Sequence, residues 1–330
     1  MIGRLVLDLR AARRPGRKAL APLSRRLRPY AVALAIAALV AGVVLVGRAA
    51  VAVLSPLEIA TVAVLFLAAH ALRAVRLAIV AGLLLGVSAR TAALLHFATA
   101  PAVLLVPLKL GEALRLHQLW VASGRLAEAA ITVVVDRVMD AIMLLLLVTW
   151  LAFSASGLVG VGTLIMLTGA AVAIAAVVLL LGPPTLRSLQ AYVIVHHRRG
   201  LALRGLKWID LGRRVTERGG FVLRRQGAPL LLLSAAIWTL ELTAAGLVAV
   251  HTLEPGLQEA ARFLLTRVTE EWRLAIGANV DPALAASAAT GLLVLLAAWP
   301  LALSEYMRRL KGEPLRRPPP MARNGDDDGA

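Results

Sequence analysis

The amino-acid sequence predicts an all-α integral membrane protein, a bundle of several membrane-spanning helices. Apolar residues make up 59% of the 330 positions and charged residues 17%, whereas soluble domains contain about 45–50% and about 25%. The apolar residues are concentrated in long runs, and each run approaches the roughly 20 residues that cross a hydrocarbon core. Because lipid offers no partner to backbone polar groups, these runs are expected to be helices.

The distribution of Lys and Arg predicts the orientation of these helices. Residues 1–28, residues 183–228 and the tail from Glu305 hold nine, ten and six of these cations, whereas the links 47–57 and 251–282 hold four together. The positive-inside rule then places both termini and the 183–228 segment in the cytoplasm of a bacterium, with the spans in its inner membrane. This topology explains the net charge of +17 without nucleic-acid binding, for which the chain carries no motif.

The apolar runs predict six full spans and one segment that does not cross. The spans are expected at about 30–47, 57–80, 128–153, 158–182, 229–250 and 283–304. Residues 81–107 are also apolar, but cations flank both ends and the run is interrupted by Gly82, Gly86, Pro101 and Pro107. These features predict a re-entrant hairpin of two half-helices, and two short, tilted full spans are the alternative.

The composition divides the chain into a basic segment (1–28), a transmembrane domain (29–305) and a Pro- and Asp-rich tail (306–330) that is expected to be disordered. Within the 183–228 loop, Pro183 and Pro184 are expected to stop the preceding helix. Apolar residues then alternate with Arg and Lys from 203 to 226. This pattern predicts a basic amphipathic helix that suits the anionic inner leaflet.

Ionisable side chains within spans usually face the interior of the bundle and mark a functional site. Lys109, Glu112 and Arg115 recur every three residues, so Glu112 can pair with either cation on one helix. Arg73 and Arg76 lie near the cytoplasmic end of the second span, where arginine side chains can extend to the lipid headgroups.

The following span carries Asp136, Arg137 and Asp140. The two aspartates lie one helical turn apart, which is unfavourable unless a cation or a proton lies between them, and Arg137 can pair with Asp140. Two explanations fit these residues equally well: interhelical ion pairs that stabilise the bundle, or a binding site. Glu241, deep in the fifth span, is harder to explain as a surface residue.

The charged motifs resemble a known family. Arg73 and Arg76, then Pro107-x-Lys-x-Gly-Glu-x-x-Arg115 and Val134-Val-Asp-Arg-Val-Met-Asp140, resemble the flippase-like transmembrane family that includes the membrane domain of lysylphosphatidylglycerol synthase, the multiple peptide resistance factor. Lys109 stands for the family's arginine and Asp136 for its glutamate, so charge is retained. The resemblance covers about residues 60–150. In the second half the family's Gly-rich segment is replaced by Phe263–Glu271, where Glu270 or Glu271 takes the acidic position.

The resemblance implies a transporter that binds or translocates an anionic or zwitterionic phospholipid or polyprenyl lipid. Lys109, Arg115 and Arg137 would receive the lipid phosphate, and Glu112, Asp136 and Asp140 would pair with them while the site is empty. The implied lipid-binding residues are Arg73, Arg76, Lys109, Glu112, Arg115, Asp136, Arg137, Asp140 and Glu271. The sequence shows no nucleotide-binding loop, no clustered His/Asp metal set, no Gly-x-Ser-x-Gly motif and no aminoacyl-transferase domain. Neither enzymatic activity nor a metal or cofactor is therefore expected. The alternative is a non-catalytic membrane scaffold for a glycosyltransferase or a lipid-modifying partner.

The order of segments also suggests an inverted repeat. Residues 30–153 and 158–304 each contain two spans, an irregular segment and a further span, and they begin on opposite sides of the membrane. In transporters with inverted repeats the substrate binds near the midplane, where broken helices meet.

Overall fold

The all-helical prediction is confirmed in the part of the chain that the structure describes. A computed structural model describes residues 29–30, 32–38, 40–41, 51, 53–105, 110–154, 161–196, 200–250 and 282–309. These ranges contain no strand. After a helical stretch within 29–41, the helices are α1 (Pro56–Leu85), α2 (Ala89–Leu105), α3 (Leu110–Ser123), α4 (Leu126–Ser154), α5 (Val161–Leu180), α6 (Gly182–His196), α7 (Gly200–Ala249) and α8 (Pro282–Arg309).

Three helical segments in these ranges are long and apolar enough to cross a membrane: Pro56–Leu85, Gly205–Ala249 and Ala289–Arg308. A fourth is obtained if Ile165–Leu179 and Gly182–His196, which meet at a bend of 53°, form one broken span. The six predicted spans are therefore not all found. Much of the first lies outside the described residues, and α4 carries three charged residues along its apolar stretch.

Within the described part of the 81–107 segment, the helix is broken at Gly86. Helix α1 begins with a capping box, in which Ser55 and Glu58 satisfy each other's backbone amides, and it runs on to Leu85. Gly86 ends it with φ 66°, a left-handed conformation that glycine adopts without steric cost. Three residues follow Leu85, the end of α1, and helix α2 then begins at Ala89 and continues through Pro101. The segment therefore consists of the last turn of α1 and the single helix α2 rather than the two predicted half-helices, while Pro107 lies outside the described residues.

The 183–228 segment is a helical hairpin rather than a loop. The preceding helix α5 ends at Leu180, as the two prolines predict. Pro183 and Pro184 then lie in the first turn of α6, where a missing amide hydrogen costs nothing. Gly182, at the start of α6, contacts Thr216 of α7, so the two helices pack antiparallel. The amphipathic stretch predicted at 203–226 is helical and continues through Pro229 into the apolar half of the same 50-residue helix.

Helix α1 lies at the centre of the bundle and packs against α2, α4, α7 and α8. Two apolar clusters flank a polar layer along it. One is built around Leu77, Val80 and Leu84 of α1, and the other around Val62 and Phe66. The residues of α1 between the two clusters include its two arginines, so the fold places charged groups between two apolar layers.

Helix α5 crosses α7 at unusually short range. A β-carbon at Gly220 would lie 2.8 Å from the carbonyl oxygen of Leu179, and one at Gly219 would lie 2.6 Å from that leucine's Cδ2. Only residues without a side chain permit this approach. Helix α8 contacts α2 and α3. Trp299 Nε1 donates to the carbonyl oxygen of Ala98 at 2.9 Å, and Tyr306 Oη donates to that of Gln118 at 3.3 Å. Helix α8 also extends to Arg309, beyond the predicted start of the tail at 306.

The inverted-repeat prediction stays a prediction. The irregular segment of the second half falls within 251–281, which lies outside the described residues.

Candidate functional site

Arg76 is the centre of a buried charge cluster. Its side chain is fully buried in the middle of the bundle. Nε donates to Oδ1 of Asp136 at 2.7 Å, and Nη1 donates to Oδ1 of Asp140 and to Oγ of Ser234, both at 2.7 Å. One guanidinium therefore joins α1, α4 and α7.

The prediction that Arg73 and Arg76 extend to lipid headgroups is wrong. Arg73 Nη1 lies 2.6 Å from Oε1 of Glu241 on α7, and its side chain is 18% exposed. The sequence places both arginines near the end of a span, but α1 runs to Leu85 and carries them well inside the helix. Carboxylates on neighbouring helices pair with both arginines there.

Helix α3 supplies the third cation of the cluster and one more carboxylate. Arg115 Nη1 lies 3.4 Å from Oδ2 of Asp136 and 3.6 Å from Oε2 of Glu112. Only 5% of the Arg115 side chain is exposed. The predicted pairing of Glu112 with Arg115 is present, although at a longer distance than the contacts of Arg76.

The fourth cation, Arg137, lies at the open end of the cluster. Its guanidinium contacts Asp136 at 2.9 Å, Asp140 at 3.2 Å and Glu112 at 3.3 Å. Its side chain is 44% exposed, far more than those of Arg76 and Arg115. The expected pairing of Arg137 with Asp140 is confirmed, and Arg76 and Arg137 supply the cations that the two neighbouring aspartates require.

The cluster is electrically balanced but unevenly satisfied. Its four arginines face four carboxylates, those of Glu112, Asp136, Asp140 and Glu241. Both oxygens of Glu112, the Nε of Arg115 and the Nη2 of Arg76 are buried without a hydrogen-bond partner, although Arg76 Nη2 lies 2.7 Å from Oδ1 of Asp136. A buried polar group left without a hydrogen bond costs about 1–3 kcal/mol. The Glu112–Arg115 side is therefore the weakly held part of the cluster.

Two histidines adjoin the cluster. Nδ1 of His70 on α1 lies 3.2 Å from Nε2 of His96 on α2, and the ring centroids are 5.4 Å apart. His96 is almost fully buried. His70 precedes Arg73 by one helical turn, so the pair lies beside the guanidinium layer.

Sequence reasoning missed His70 and Ser234 as members of this site. The signal for His70 was its spacing, because residues 70, 73 and 76 recur at intervals of three along one helix and therefore share a broad face. Nothing in the local sequence distinguishes Ser234 from other serines in apolar helices.

Two of the predicted site residues, Lys109 and Glu271, lie outside the described residues. In the part of the chain that is described, no group of three or more His, Cys, Asp or Glu side chains is arranged to hold a metal ion.

A groove of about 550 Å³ runs between α1 and α2. Its walls are apolar and are formed mainly by small side chains such as Ala74, Ala78 and Ala93, with Phe97 and the guanidinium of Arg90 beside them. The Arg90 side chain is 65% exposed and lies 3.4 Å from Glu305. The groove is open to the outer surface of the bundle.

Comparison of the chain with protein-family models, with curated proteins and with solved structures gives no match.

Proposed function

We propose that this chain is an integral membrane protein that binds and translocates an anionic or zwitterionic lipid, whose phosphate enters the charge cluster at Arg115 and Arg137. The observation that carries the proposal is the convergence of four arginines and four carboxylates from α1, α3, α4 and α7 on one buried layer.

The cost of burying these charges supports a functional role. A single charged residue at the centre of an inserted helix costs about 2.5–3.5 kcal/mol. Replacing a buried ion pair by well-packed apolar residues is often neutral or stabilising by about 1–4 kcal/mol. A bundle that only needed stability would therefore be served by apolar side chains at these positions.

The distances divide the cluster into a fixed part and an exchangeable part. Arg76 makes three hydrogen bonds of 2.7 Å and acts as the rigid support. Glu112 holds Arg115 and Arg137 only through contacts of 3.6 and 3.3 Å. An incoming phosphate would displace Glu112 from these two guanidiniums, which bind phosphate oxygens in a bidentate geometry.

The exchange of partners addresses the main barrier to lipid translocation. A headgroup that passes from water to a guanidinium never enters the hydrocarbon as an unpaired charge, whose transfer would be strongly unfavourable. The groove between α1 and α2 offers an apolar surface for the acyl chains. The resemblance of the charged motifs to the flippase-like transmembrane family points to the same class of substrate. We place the protein in a bacterial inner membrane with both termini in the cytoplasm, as the basic segments predict.

The proposal is tested by lipid translocation in proteoliposomes that contain fluorescent phosphatidylglycerol. Arg115→Gln removes a phosphate ligand while leaving the contacts of Arg76 in place, and we expect translocation to fall at least about tenfold, equivalent to 1.4 kcal/mol. The matched control is Arg214→Gln, which removes an arginine of α7 whose side chain is 56% exposed. A folded Arg115→Gln protein that translocates at the parental rate would refute the assignment. Should that variant not fold, Arg137→Gln at the open end of the cluster gives the same test.

A second candidate function is that of a scaffold for a glycosyltransferase or a lipid-modifying partner. The observation that favours it is the α6–α7 hairpin, since none of the described side chains of α6 is buried and Tyr192, Ile194 and Val195 are more than half exposed. The scaffold function predicts that a co-purifying glycosyltransferase is lost when these three residues are changed to serine. A parental protein that binds the partner but translocates no lipid would favour the scaffold function.

A further inference from the structure

The His70–His96 pair has no role in the phosphate exchange described above, yet it is built into the same layer. The two imidazoles approach within 3.2 Å, nitrogen to nitrogen, so one ring donates a hydrogen and the other accepts it. The ring of Phe97 lies edge-on to His96. A pair of buried imidazoles can hold one additional proton between the two rings, in a charge-assisted hydrogen bond.

The surroundings of the pair are dominated by the arginines of the cluster. The charged groups that act on His96 are Arg115 of α3 and Arg73 and Arg76 of α1. From α7, Glu241 is engaged by Arg73. Helix α8 also packs on α2, and its Glu305 contacts Arg90 while its Tyr306 donates a hydrogen bond to Gln118.

We infer that the His70–His96 pair takes up a proton when an anionic headgroup occupies the charge cluster, so that lipid translocation is coupled to proton movement. The inference rests on the proposed function, and it supplies the energetic coupling that the cluster by itself lacks.

The coupling follows from charge balance. Among the described residues the cluster holds four arginines and four carboxylates, and a lipid phosphate at Arg115 adds one negative charge to it. A proton on the pair adds one positive charge to the same layer. Lipid binding and proton uptake therefore favour each other, and the free energy of coupling is the same in both directions. The proton comes from water, binds to a ring-nitrogen lone pair and returns to water when the headgroup leaves, so no other bond is made or broken.

The coupling predicts that lipid binding depends on pH. With one coupled proton, the dissociation constant increases with rising pH by at most about tenfold per unit, until the pair in the lipid-bound protein has lost its proton. If the two rings were only a neutral hydrogen bond that holds α1 against α2, they would give lipid binding no pH dependence.

The test uses the purified full-length chain in detergent and a short-chain phosphatidylglycerol as the probe. Binding is measured by calorimetry, and proton uptake is measured in the same weakly buffered solution with a pH-indicator dye. We expect uptake of up to about one proton per lipid bound near neutral pH. A short-chain phosphatidylcholine, whose headgroup carries no net charge, is expected to bind without this uptake.

The informative variant is the double change His70→Gln and His96→Gln. Glutamine retains a hydrogen-bonding group in place of each ring but accepts no proton, so lipid should still bind while proton uptake and the pH dependence are lost. The control is His117→Gln, because His117 is exposed on α3 and stands against Trp120 rather than in the pair. His117→Gln should retain both properties. His96→Gln alone serves as a second variant if the double variant does not fold.

The outcomes separate this inference from the proposed function. Lipid binding without proton uptake, or uptake that persists in the double variant, would overturn the coupling alone. Absence of phosphatidylglycerol binding by the parental protein would overturn both.

Discussion

The guanidinium of Arg76 on α1 and the carboxylate of Asp136 on α4 form a contact of 2.7 Å in which 1% and 7% of the two side chains are exposed. The two residues are 60 positions apart in the chain. This pair holds two helices of the bundle together at the level of the polar layer, and the other charged contacts are arranged around it.

The first prediction concerns the stability that this pair provides. Arg76→Gln removes the buried cation between Asp136 and Asp140 and leaves them only the contacts with Arg137 and, for Asp136, with Arg115. Breaking a buried pair in this way costs about 3–5 kcal/mol. Thermal unfolding of the purified protein in detergent should therefore begin at a clearly lower temperature. The control is Arg187→Gln, which removes a pair with Glu217 whose arginine is 66% exposed and which should contribute about 0–1 kcal/mol. Equal midpoints for the two variants would contradict the structural role of Arg76.

The second prediction concerns Glu112, the carboxylate that competes with a lipid phosphate. Glu112→Gln removes the competing charge from Arg115 and Arg137, so binding of phosphatidylglycerol should become tighter by about threefold to tenfold, a gain of up to 1.4 kcal/mol. Titration of the purified protein with the lipid gives the dissociation constant. Glu217→Gln provides a carboxylate control outside the cluster. Unchanged or weaker binding in Glu112→Gln would show that Glu112 supports the site rather than blocking it.

The third prediction concerns the crossing of α5 and α7. Gly220→Ala places a methyl group 2.8 Å from the backbone of Leu179, and overpacking of this kind costs about 1–3 kcal/mol. Gly227→Ala, on the same helix and with nothing within 4 Å of the added carbon, should be neutral or stabilising by up to about 1 kcal/mol. Thermal unfolding of the two variants measures the difference. Equal unfolding temperatures for the two variants would mean that α5 and α7 can move apart without loss of stability.

The fourth prediction concerns orientation and uses the absence of cysteine from the chain. Single cysteines at Leu57 and at Trp208, whose side chains are 78% and 73% exposed, should react with a membrane-impermeant thiol reagent from opposite sides. Leu57→Cys should be labelled in intact cells. Trp208→Cys should be labelled only after the membrane is opened, because the basic 183–228 segment is expected inside. The reverse labelling pattern would show that the protein has the opposite orientation in the membrane.

Much of the candidate site could be predicted from local spacing. Asp136 and Asp140 lie one turn apart on any helix, and the need for a cation between them follows from electrostatics alone. Which cation serves them could not be predicted, since Arg76 belongs to a helix that is distant in sequence. The position of Arg76 near the end of an apolar run favoured an exposed side chain, and the extension of α1 to Leu85 removed the basis for that interpretation.

Proline marked some helix boundaries and not others. Helix α5 ends at Leu180, just before Pro183 and Pro184, which occupy the first turn of the next helix. Pro229, by contrast, lies inside α7 without ending it. A proline constrains its own backbone and the preceding turn, whereas packing against neighbouring helices decides whether the chain continues beyond it.

The sequence by itself determined that the described part of this chain is helical, with apolar stretches long enough for a membrane, and that charged residues recur on single faces of the helices. Those properties depend on composition and on a period of 3.6 residues, and both are local. Only the tertiary structure decided that Arg76 joins Asp136, Asp140 and Ser234, that Arg73 meets Glu241, and that His70 contacts His96. Each of these contacts joins residues from different helices, so it depends on how the helices pack, a property that no single helix carries.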